Sequence, residues 1–196
     1  TTDLAKLADY HIKLRPGTNV AILNMMLHFI IKSKLYNKDF VRDRTEGFDN
    51  FIKEIERQDM DHLAKVAGVD KQLVKEAAIA YATAKNSMEF HGLGVTEQEQ
   101  GSKTVMLIAD LAMITGNIGR KGVGVNPLRG QNNVQGAADM GCQPHQGAGY
   151  FEVSDEKNQN FYTEKYGVVH PTKAGLKIPE MFDGAINKDV KAVWII

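Results

Sequence analysis

The sequence has little cysteine, no long apolar run and no net charge. One cysteine among 196 residues excludes an internal disulfide framework and a CxxC-type zinc or iron–sulfur site within this chain. The longest apolar run, residues 20–31, contains Asn24 and His28 and is too short to cross a bilayer. Lysine plus arginine equals aspartate plus glutamate at 24 each, which argues against a nucleic-acid-binding module. The length predicts one domain or one and a half.

Both ends of the chain are unusual for a complete protein. The sequence begins Thr1-Thr2-Asp3, with neither an initiator methionine nor a signal-peptide pattern. Residues 190–196 are typical of a buried strand, and no turn follows them. These two features favour a piece of a longer polypeptide.

The first third of the chain is predicted to be mainly helical. Residues 11–14 alternate polar and apolar side chains, which predicts a short strand. Thr18 offers an N-cap hydroxyl to a helix that ends near Lys34 and should bury one side. Further helices are predicted over residues 38–45, 48–57 and 61–67, the last closed by Gly68 at C′, and after an Asp70 N-cap.

A strand, a glycine turn and a helix follow one another after residue 86. Residues 87–90 predict a strand, 91–96 contain the turn, and 101–113 predict a helix. This order is typical of an open α/β sheet, whose ligands lie at the carboxyl ends of the strands. After Gly116 we expect a long loop without regular structure, and then helices over 155–165 and 178–182.

We therefore predict an α/β fold, a partial Rossmann-like open sheet with helices on both faces, followed by part of a second α/β domain. Residues 1–131 would form the C-terminal part of a dinucleotide-binding-like domain. Residues 132–196 would form a partial second domain.

The loop between Gly116 and Gly141 contains seven glycines in a polar run. Glycine lets backbone N–H groups approach a ligand closely, and residues 129–133 add a forked cation and three carboxamides. We expect this loop to bind a large, polar, anionic ligand. Arg129 is interpreted as an anion ligand rather than a surface arginine, because a buried guanidinium must be paired. The alternative for Asn132, Asn133 and Gln135 is an amide network that locks the loop.

Two shorter glycine segments are weaker candidates. Gly92-Leu93-Gly94 lies between a predicted strand and a helix, where N–H groups can hold a phosphate, with Thr96 and Gln98 as further donors. It lacks the third glycine of GxGxxG and the acidic residue of a nicotinamide site. Gly17 and Asn19 are typical of a turn and a helix start. The alternative is that Asn19 hydrogen-bonds to the edge of a guanine or adenine base, if a nucleotide is bound.

The single cysteine and the histidines suggest no metal site. Cys142 is interpreted as a small buried hydrophobe rather than a metal ligand or nucleophile. His91 and His145 flank the loop without the spacing of a zinc set.

Several segments together resemble the catalytic subunit of formate dehydrogenases, in the molybdopterin oxidoreductase (dimethyl sulfoxide reductase) superfamily. NPLRGQNNVQG at 126–136 is specific to that subunit, whereas the earlier segments would suit most of the superfamily. The segments are ADYHIKLRPGTNVA at 8–21, FVRDRTEGF at 40–48, HGLGVT at 91–96, LAMITGNIG at 111–119 and GVNPLRGQNNVQG at 124–136, with DMG at 139–141.

The resemblance implies oxidation of formate to CO2 at a bis-molybdopterin guanine dinucleotide carrying molybdenum or tungsten. Arg129 would act on formate near the metal, since its fork pairs with both oxygens of a small carboxylate. The residues implied to bind the cofactor are Gly17, Asn19, Gly92, Leu93, Gly94, Gln98, Gly130, Gln131 and Asn132, of which Gly17 and Asn19 would lie by a guanine.

The resemblance also implies parts that this chain lacks. The cysteine or selenocysteine that binds the metal, and a 4Fe-4S cluster, would lie upstream of Thr1, so no metal ligand is assigned here and the chain alone should be inactive. Electrons would pass through the cluster to an electron-transfer subunit or a ferredoxin-like partner. We expect a cytoplasmic protein, with no nucleic acid and no membrane contact from this segment. The alternatives are another molybdopterin oxidoreductase, such as a nitrate reductase, and a non-catalytic fragment that binds a pterin or nucleotide.

Overall fold

A computed structural model describes residues 2–195 of the chain. Backbone contacts divide the chain into two compact units, Thr1–Leu128 and Arg129–Ile196, here called the first and second unit. The predicted assignment of residues 1–131 and 132–196 to two named domains stays a prediction. Along the chain the elements are α1 (Asp3–Leu7), α2 (Asn19–Lys32), α3 (Lys38–Arg44), α4 (Phe48–Glu56), α5 (Met60–Ala67), α6 (Lys71–Thr83), β1 (Met88–His91), α7 (Leu93–Thr96), α8 (Gly101–Ile114), β2 (Gly124–Pro127), α9 (Val134–Asp139), α10 (Glu156–Tyr166) and α11 (Ile178–Ile186).

The first unit is built around α2, which contacts α4, α5, α6 and α8. One side of α2 contributes Leu27 and Ile30 to a cluster with residues of α3, α4, α6 and α8. Its other side contributes Ile22 and Met25 to a second cluster with residues of α5 and α6. The prediction that this helix buries one side is therefore wrong, because a helix that is apolar on most of its surface can be enclosed by neighbours.

The helix boundaries follow local capping signals. Asp59 accepts hydrogen bonds from the backbone of Asp61 and His62 at the start of α5, and Asp70 caps α6 through the Gln72 N–H, as predicted. Gly68 ends α5 with φ of 70°, which confirms the predicted C′ glycine. Thr18 precedes α2, but its hydroxyl donates to the Arg15 carbonyl instead of capping the helix.

The two strands form a parallel pair, in which Met88 faces Gly124 and His91 faces Pro127. The predicted α/β class is confirmed. α8 connects the strands and contacts both of them, as a parallel crossover requires. The side chains of β1 alternate: His91 is buried, and Phe90 is 62% exposed on the opposite face.

Two predicted strands are wrong. Residues 11–14 form no strand; Ile12 and Leu14 instead pack on the second cluster of the first unit, and the Arg15 N–H donates to the Ala67 carbonyl. The alternation at 11–14 thus reflects packing against helices. Residues 190–195 are also irregular, and Ile196 lies outside the described residues.

The loop after Gly116 is more ordered than predicted. β2 and α9 both lie within it. β2 gives no strand signal because Gly124 and Pro127 are poor strand residues, and its pairing with β1 depends on tertiary contact.

The second unit is organised around Tyr162 of α10, which is 2% exposed. Its ring stacks on His170 with 4.6 Å between centroids, and its hydroxyl donates to the Ala148 carbonyl. A Cβ at Gly147 would lie 2.7 Å from this ring, so the chain passes closely over it. Among residues 2–195, no helix combines the length and apolar character that a bilayer crossing needs; the cytoplasmic location stays a prediction.

Candidate functional site

The carboxyl ends of β1 and β2 lie side by side in the first unit. The register pairs His91 with Pro127, and the Leu128 N–H donates to the His91 carbonyl over 2.7 Å. The two chain segments that leave the sheet here begin with Gly92 and Leu128. This is the edge at which open α/β sheets bind ligands.

The Gly92-Leu93-Gly94 turn leaves its backbone accessible. Gly92 precedes the single turn of α7, and its carbonyl accepts hydrogen bonds from Val95 and Thr96. A Cβ at Gly92 would lie 3.4 Å from the Leu128 carbonyl oxygen, whereas one at Gly94 would meet no atom within 4 Å. Leu93 is 47% exposed. A polar ligand can therefore approach the backbone at this turn.

Gly101, which the sequence analysis did not single out, fixes the path from α7 to α8. A Cβ at Gly101 would overlap the Thr96 carbonyl oxygen. Gln98 lies in the connection, where its carbonyl accepts from the Gly101 N–H over 2.8 Å and its side chain is exposed. The close approach to Thr96 requires glycine at 101, and the Gln98 side chain in the same connection is exposed.

Asn117 anchors the start of β1, although the sequence alone assigns it no role. Asn117 is 2% exposed, and its Oδ1 accepts from the Ser87 N–H over 3.2 Å and from Arg120 over 2.9 Å. Its Nδ2 donates to the Thr115 hydroxyl over 2.9 Å. Position 117 lies in the GNIG turn, but nothing in the sequence separates this asparagine from an ordinary turn residue.

Two titratable side chains on the inner face of β1 each have a buried polar atom without a partner among the described residues, Glu89 Oε2 and His91 Nδ1. Glu89 accepts a hydrogen bond from the Tyr81 hydroxyl. Burial raises the pKa of Glu89 above its ordinary value. Burial also raises the pKa of Tyr81, and its bond to Glu89 adds to that shift.

Gly17 and Asn19 lie at the start of α2, not on the turn after β1. Gly17 has φ of 82° in the turn before the helix, and Asn19 is the first helical residue. A Cβ at Gly17 would meet no atom within 4 Å. Their predicted position beside a guanine stays a prediction.

Arg129 begins the second unit and is exposed, so the expectation of a buried guanidinium is wrong. One of its terminal nitrogens donates to Gln135 Oε1 over 2.9 Å. Gln135 Nε2 in turn donates to Asp139 Oδ1 over 2.9 Å and to the Tyr150 hydroxyl oxygen over 2.5 Å. The Tyr150 hydroxyl donates to the same Asp139 oxygen over 2.6 Å. We call these four residues the Arg129 network.

Hydrogen bonding reinforces the ordinary ionisation states of Asp139 and Tyr150 in the network. Bonds from Tyr150 and Gln135 lower the pKa of Asp139, so this carboxyl group is ionised at neutral pH. The bond to Asp139 raises the pKa of Tyr150, which therefore stays protonated and can donate. Asp139 and Tyr150 were not assigned roles from the sequence. The spacing of Gln135 and Asp139 at i and i+4 is the available signal, because such residues are neighbours on a helix.

The remaining loop residues form the turn that leads into α9. Gly130, Gln131 and Asn132 are exposed, with their side chains or backbone open to a ligand. Asn133 adopts a left-handed conformation with φ of 53°, and a Cβ at Gly136 would overlap its carboxamide. The alternative of an amide network that locks the loop therefore applies to Gln135, whereas Gln131 and Asn132 are exposed. Their contact with a cofactor stays a prediction.

Cys142 is a free, exposed thiol, so its interpretation as a buried residue is wrong. Within residues 2–195, no group of three histidine, cysteine or acidic side chains is arranged to hold a metal ion.

Comparisons with known proteins agree on one family. A family model described as "Molybdopterin oxidoreductase" matches residues 1–196. The alpha subunit of F420-dependent formate dehydrogenase from Methanocaldococcus jannaschii is 42% identical over all of this chain and 28% of its own length. Formate dehydrogenase H of Escherichia coli is 42% identical over 99% of this chain and 27% of its own length. The chain therefore spans little more than a quarter of the length of these relatives.

A solved structure supports the fold. Acetylene hydratase from Pelobacter acetylenicus superposes on 62% of this chain and 17% of its own, with a TM-score of 0.58 and 26% identity. The parallel strand pair with its glycine turn and the match along the whole sequence lead to one conclusion: the chain belongs to the molybdopterin oxidoreductase family, which implies a molybdopterin cofactor.

Proposed function

We propose that this chain is part of the catalytic subunit of a formate dehydrogenase, which oxidises formate to CO2. The observation that carries the proposal is the Arg129 guanidinium, whose partner in the structure is the neutral carboxamide of Gln135. Two relatives that are 42% identical are named formate dehydrogenases. An arginine whose charge is not neutralised suits a small carboxylate substrate.

Arg129 would hold formate through paired N–H donors on the two carboxylate oxygens, which fixes the direction of the C–H bond. In the reaction formate loses two electrons and one proton and leaves as CO2. When bound, the cofactor supplies the redox centre that takes up the electrons. The step that this chain's residues contribute is binding and orientation of the anion.

At the sheet edge, a pterin dinucleotide would contact accessible backbone. Gly94 leaves open space around its Cα atom, a Cβ at Gly92 would lie in contact with the Leu128 carbonyl, and Leu93 and Gln98 are exposed nearby. These residues would line one pterin, and Gly17 and Asn19 would contact a guanine. The second unit, taken by itself, would offer the cofactor the exposed amide donors and acceptors of Gly130, Gln131 and Asn132.

The finer chemistry belongs to the same proposal. The cofactor would be bis-molybdopterin guanine dinucleotide with molybdenum or tungsten, and a 4Fe-4S cluster elsewhere in the longer protein would pass electrons to an electron-transfer subunit or ferredoxin-like partner. Metal analysis of the active full-length protein tests this. Active protein that contains neither molybdenum nor tungsten would contradict the proposal.

The decisive variant is Arg129→Lys in the full-length protein. Lysine keeps the charge but loses the planar fork, so we expect formate turnover to fall on the order of 10²-fold while cofactor content is unchanged. Arg57→Lys is the matched control, because Arg57, which follows the last residue of α4, forms an exposed ion pair with Glu54. Equal losses of turnover and cofactor in Arg129→Lys would argue against a role at the substrate.

A second candidate is a different reaction on the same cofactor. The structural neighbour is named an acetylene hydratase, so the shared fold alone does not select formate. A protein that retains molybdopterin but fails to oxidise formate would favour this candidate.

A further inference from the structure

The hydrogen bonds of the Arg129 network all lead from the Arg129 donor toward Asp139, which is the final acceptor. Asp139 is ionised and can only accept, so the nitrogen of the Gln135 carboxamide must face it. Tyr150 donates its own proton to Asp139 and therefore presents a lone pair to the same Gln135 nitrogen. Both hydrogens of that nitrogen are used, and the carboxamide oxygen is left facing Arg129. The orientation of the amide follows from its partners.

We propose that Gln135 is a positioning residue for Arg129: it holds the guanidinium through a neutral acceptor, which Asp139 and Tyr150 orient, and so leaves the arginine's charge available to an anionic substrate. This inference rests on the proposed function, in which Arg129 binds the carboxylate of formate.

The inference depends on the side chain at position 135 having no net charge. Arg42, in the first unit, shows the opposite arrangement, because it is held by the carboxylates of Asp39 and Asp43 at 2.6–2.9 Å. A carboxylate at 135 would pair with Arg129 in the same way and would occupy the donors that a substrate carboxylate needs. A carboxamide oxygen fixes one terminal nitrogen and carries no net charge to compete with the substrate.

The network also explains why the negative charge of Asp139 does not neutralise the arginine directly. In the structure Asp139 bonds to Gln135 and Tyr150, and Gln135 lies between it and Arg129 in the chain of hydrogen bonds. The carboxylate therefore acts on the orientation of the amide, while the side-chain hydrogen bond of Arg129 within residues 2–195 goes to the neutral group.

The test is Gln135→Glu in the full-length enzyme, with formate KM, kcat and cofactor content measured together. We expect KM for formate to rise by roughly fivefold, with cofactor content unchanged. A change of this size corresponds to the free-energy contribution of a favourable exposed ion pair, which Arg129 would form with the carboxylate introduced at position 135 and would lose for formate. The change in kcat should be smaller than the change in KM, because the loss is in binding of the anion. Gln72→Glu, on the exposed surface of α6, is the control for the added charge and should leave both constants unchanged.

The double variant Gln135→Glu with Asp139→Asn separates positioning from simple disruption. If the single variant acts only by repulsion between two carboxylates in α9, removal of the Asp139 charge will restore KM. If it acts by neutralising Arg129, the KM defect will persist in the double variant, which is the result we expect. Restoration of KM would overturn the inference, as would a defect that merely follows cofactor loss in both variants.

The outcomes distinguish this inference from the proposed function. A severe loss in Arg129→Lys with normal KM in Gln135→Glu would overturn the role of Gln135 alone. Normal formate turnover in Arg129→Lys would overturn the proposed function, and the inference with it.

Discussion

Each of the two units is stabilised internally by a different kind of contact. The first unit packs aliphatic side chains between helices, and Leu27, Ile30 and Val74 are completely buried. The second unit buries few large side chains, chiefly Tyr162, and relies on ring stacking and polar side-chain bonds. Several of its apolar side chains are exposed, among them Phe182 at 66% and Trp194 at 89%. The first unit is therefore a packed scaffold, whereas the second depends on specific hydrogen bonds.

This difference predicts different stabilities for segments of the two units. Segments with few buried apolar contacts open locally at lower free energy than packed helices. The exposed hydrogen bonds that present Arg129 would thus open more readily than the packed helices around α2, where loss of buried volume is costly.

The largest expected effect is in the aliphatic core. Leu27→Ala should lower the free energy of unfolding by about 2–5 kcal/mol, because it leaves a cavity among fully buried neighbours. Phe182→Ala in the second unit should change it by less than about 0.5 kcal/mol, since that ring is mostly exposed. Urea denaturation followed by circular dichroism measures both. Similar losses in the two variants would contradict the contrast between the units.

A smaller effect is expected where a buried polar group is removed. Asn117→Ala should lower the free energy of unfolding by about 1–3 kcal/mol, because the Ser87 N–H and Arg120 lose their acceptor. Asn158→Ala, which removes an exposed bond to the Glu152 carbonyl, is the counterpart in the second unit and should cost less than about 0.5 kcal/mol. Hydrogen exchange at the Ser87 amide should quicken only in the first variant; unchanged exchange there would argue against the anchoring role of Asn117.

The smallest effect concerns the pH dependence of a helix cap. Backbone hydrogen bonds from His62 and Asp61 hold the pKa of Asp59 below its ordinary value. A carboxyl group with a lowered folded-state pKa stabilises the protein above the unfolded-state value, about 3.9, and loses that contribution as pH falls toward the folded-state pKa. Asp59→Asn keeps the cap but not the charge.

We therefore expect wild type and Asp59→Asn to differ in urea midpoint near neutral pH and to converge below about pH 3.9. Asp9→Asn, in the segment between α1 and α2, gives the same charge change without an N-cap. A difference from wild type that stays constant between pH 7 and pH 3 would show that the cap does not titrate as inferred.

The sequence predicted the parts of the fold that depend on local signals. Asp70 and Gly68 mark helix ends through their own backbone bonds, so the helices beside them were found within a residue or two. β2 could not be found, because Gly124 to Pro127 carries no alternation and becomes a strand only by pairing with β1. Residues 11–14 carry the alternation but have helices as neighbours instead of strands.

Some residues of the candidate site can likewise be predicted from the sequence, and others cannot. The loop can be recognised from the sequence, because its glycine content and the segment around Arg129 differ from the rest of the chain in composition. The bond between Gln135 and Asp139 follows from helical spacing. Tyr150 could not be found, since it reaches Asp139 only after the chain reverses through Gly149, and it has an uncommon φ of 67° itself.

The tight turn at Asn133 has a consequence for the length of the loop. Asn133 is left-handed and its carboxamide fills the space that a side chain at Gly136 would need, so the entry into α9 has one geometry. Arg129 reaches Gln135 across that turn over 2.9 Å. A residue inserted between Val134 and Gln135, inside α9, would rotate Gln135 by about 100° around the helix axis relative to that turn and break the bond. Both the side chains and the number of residues of this segment are therefore constrained.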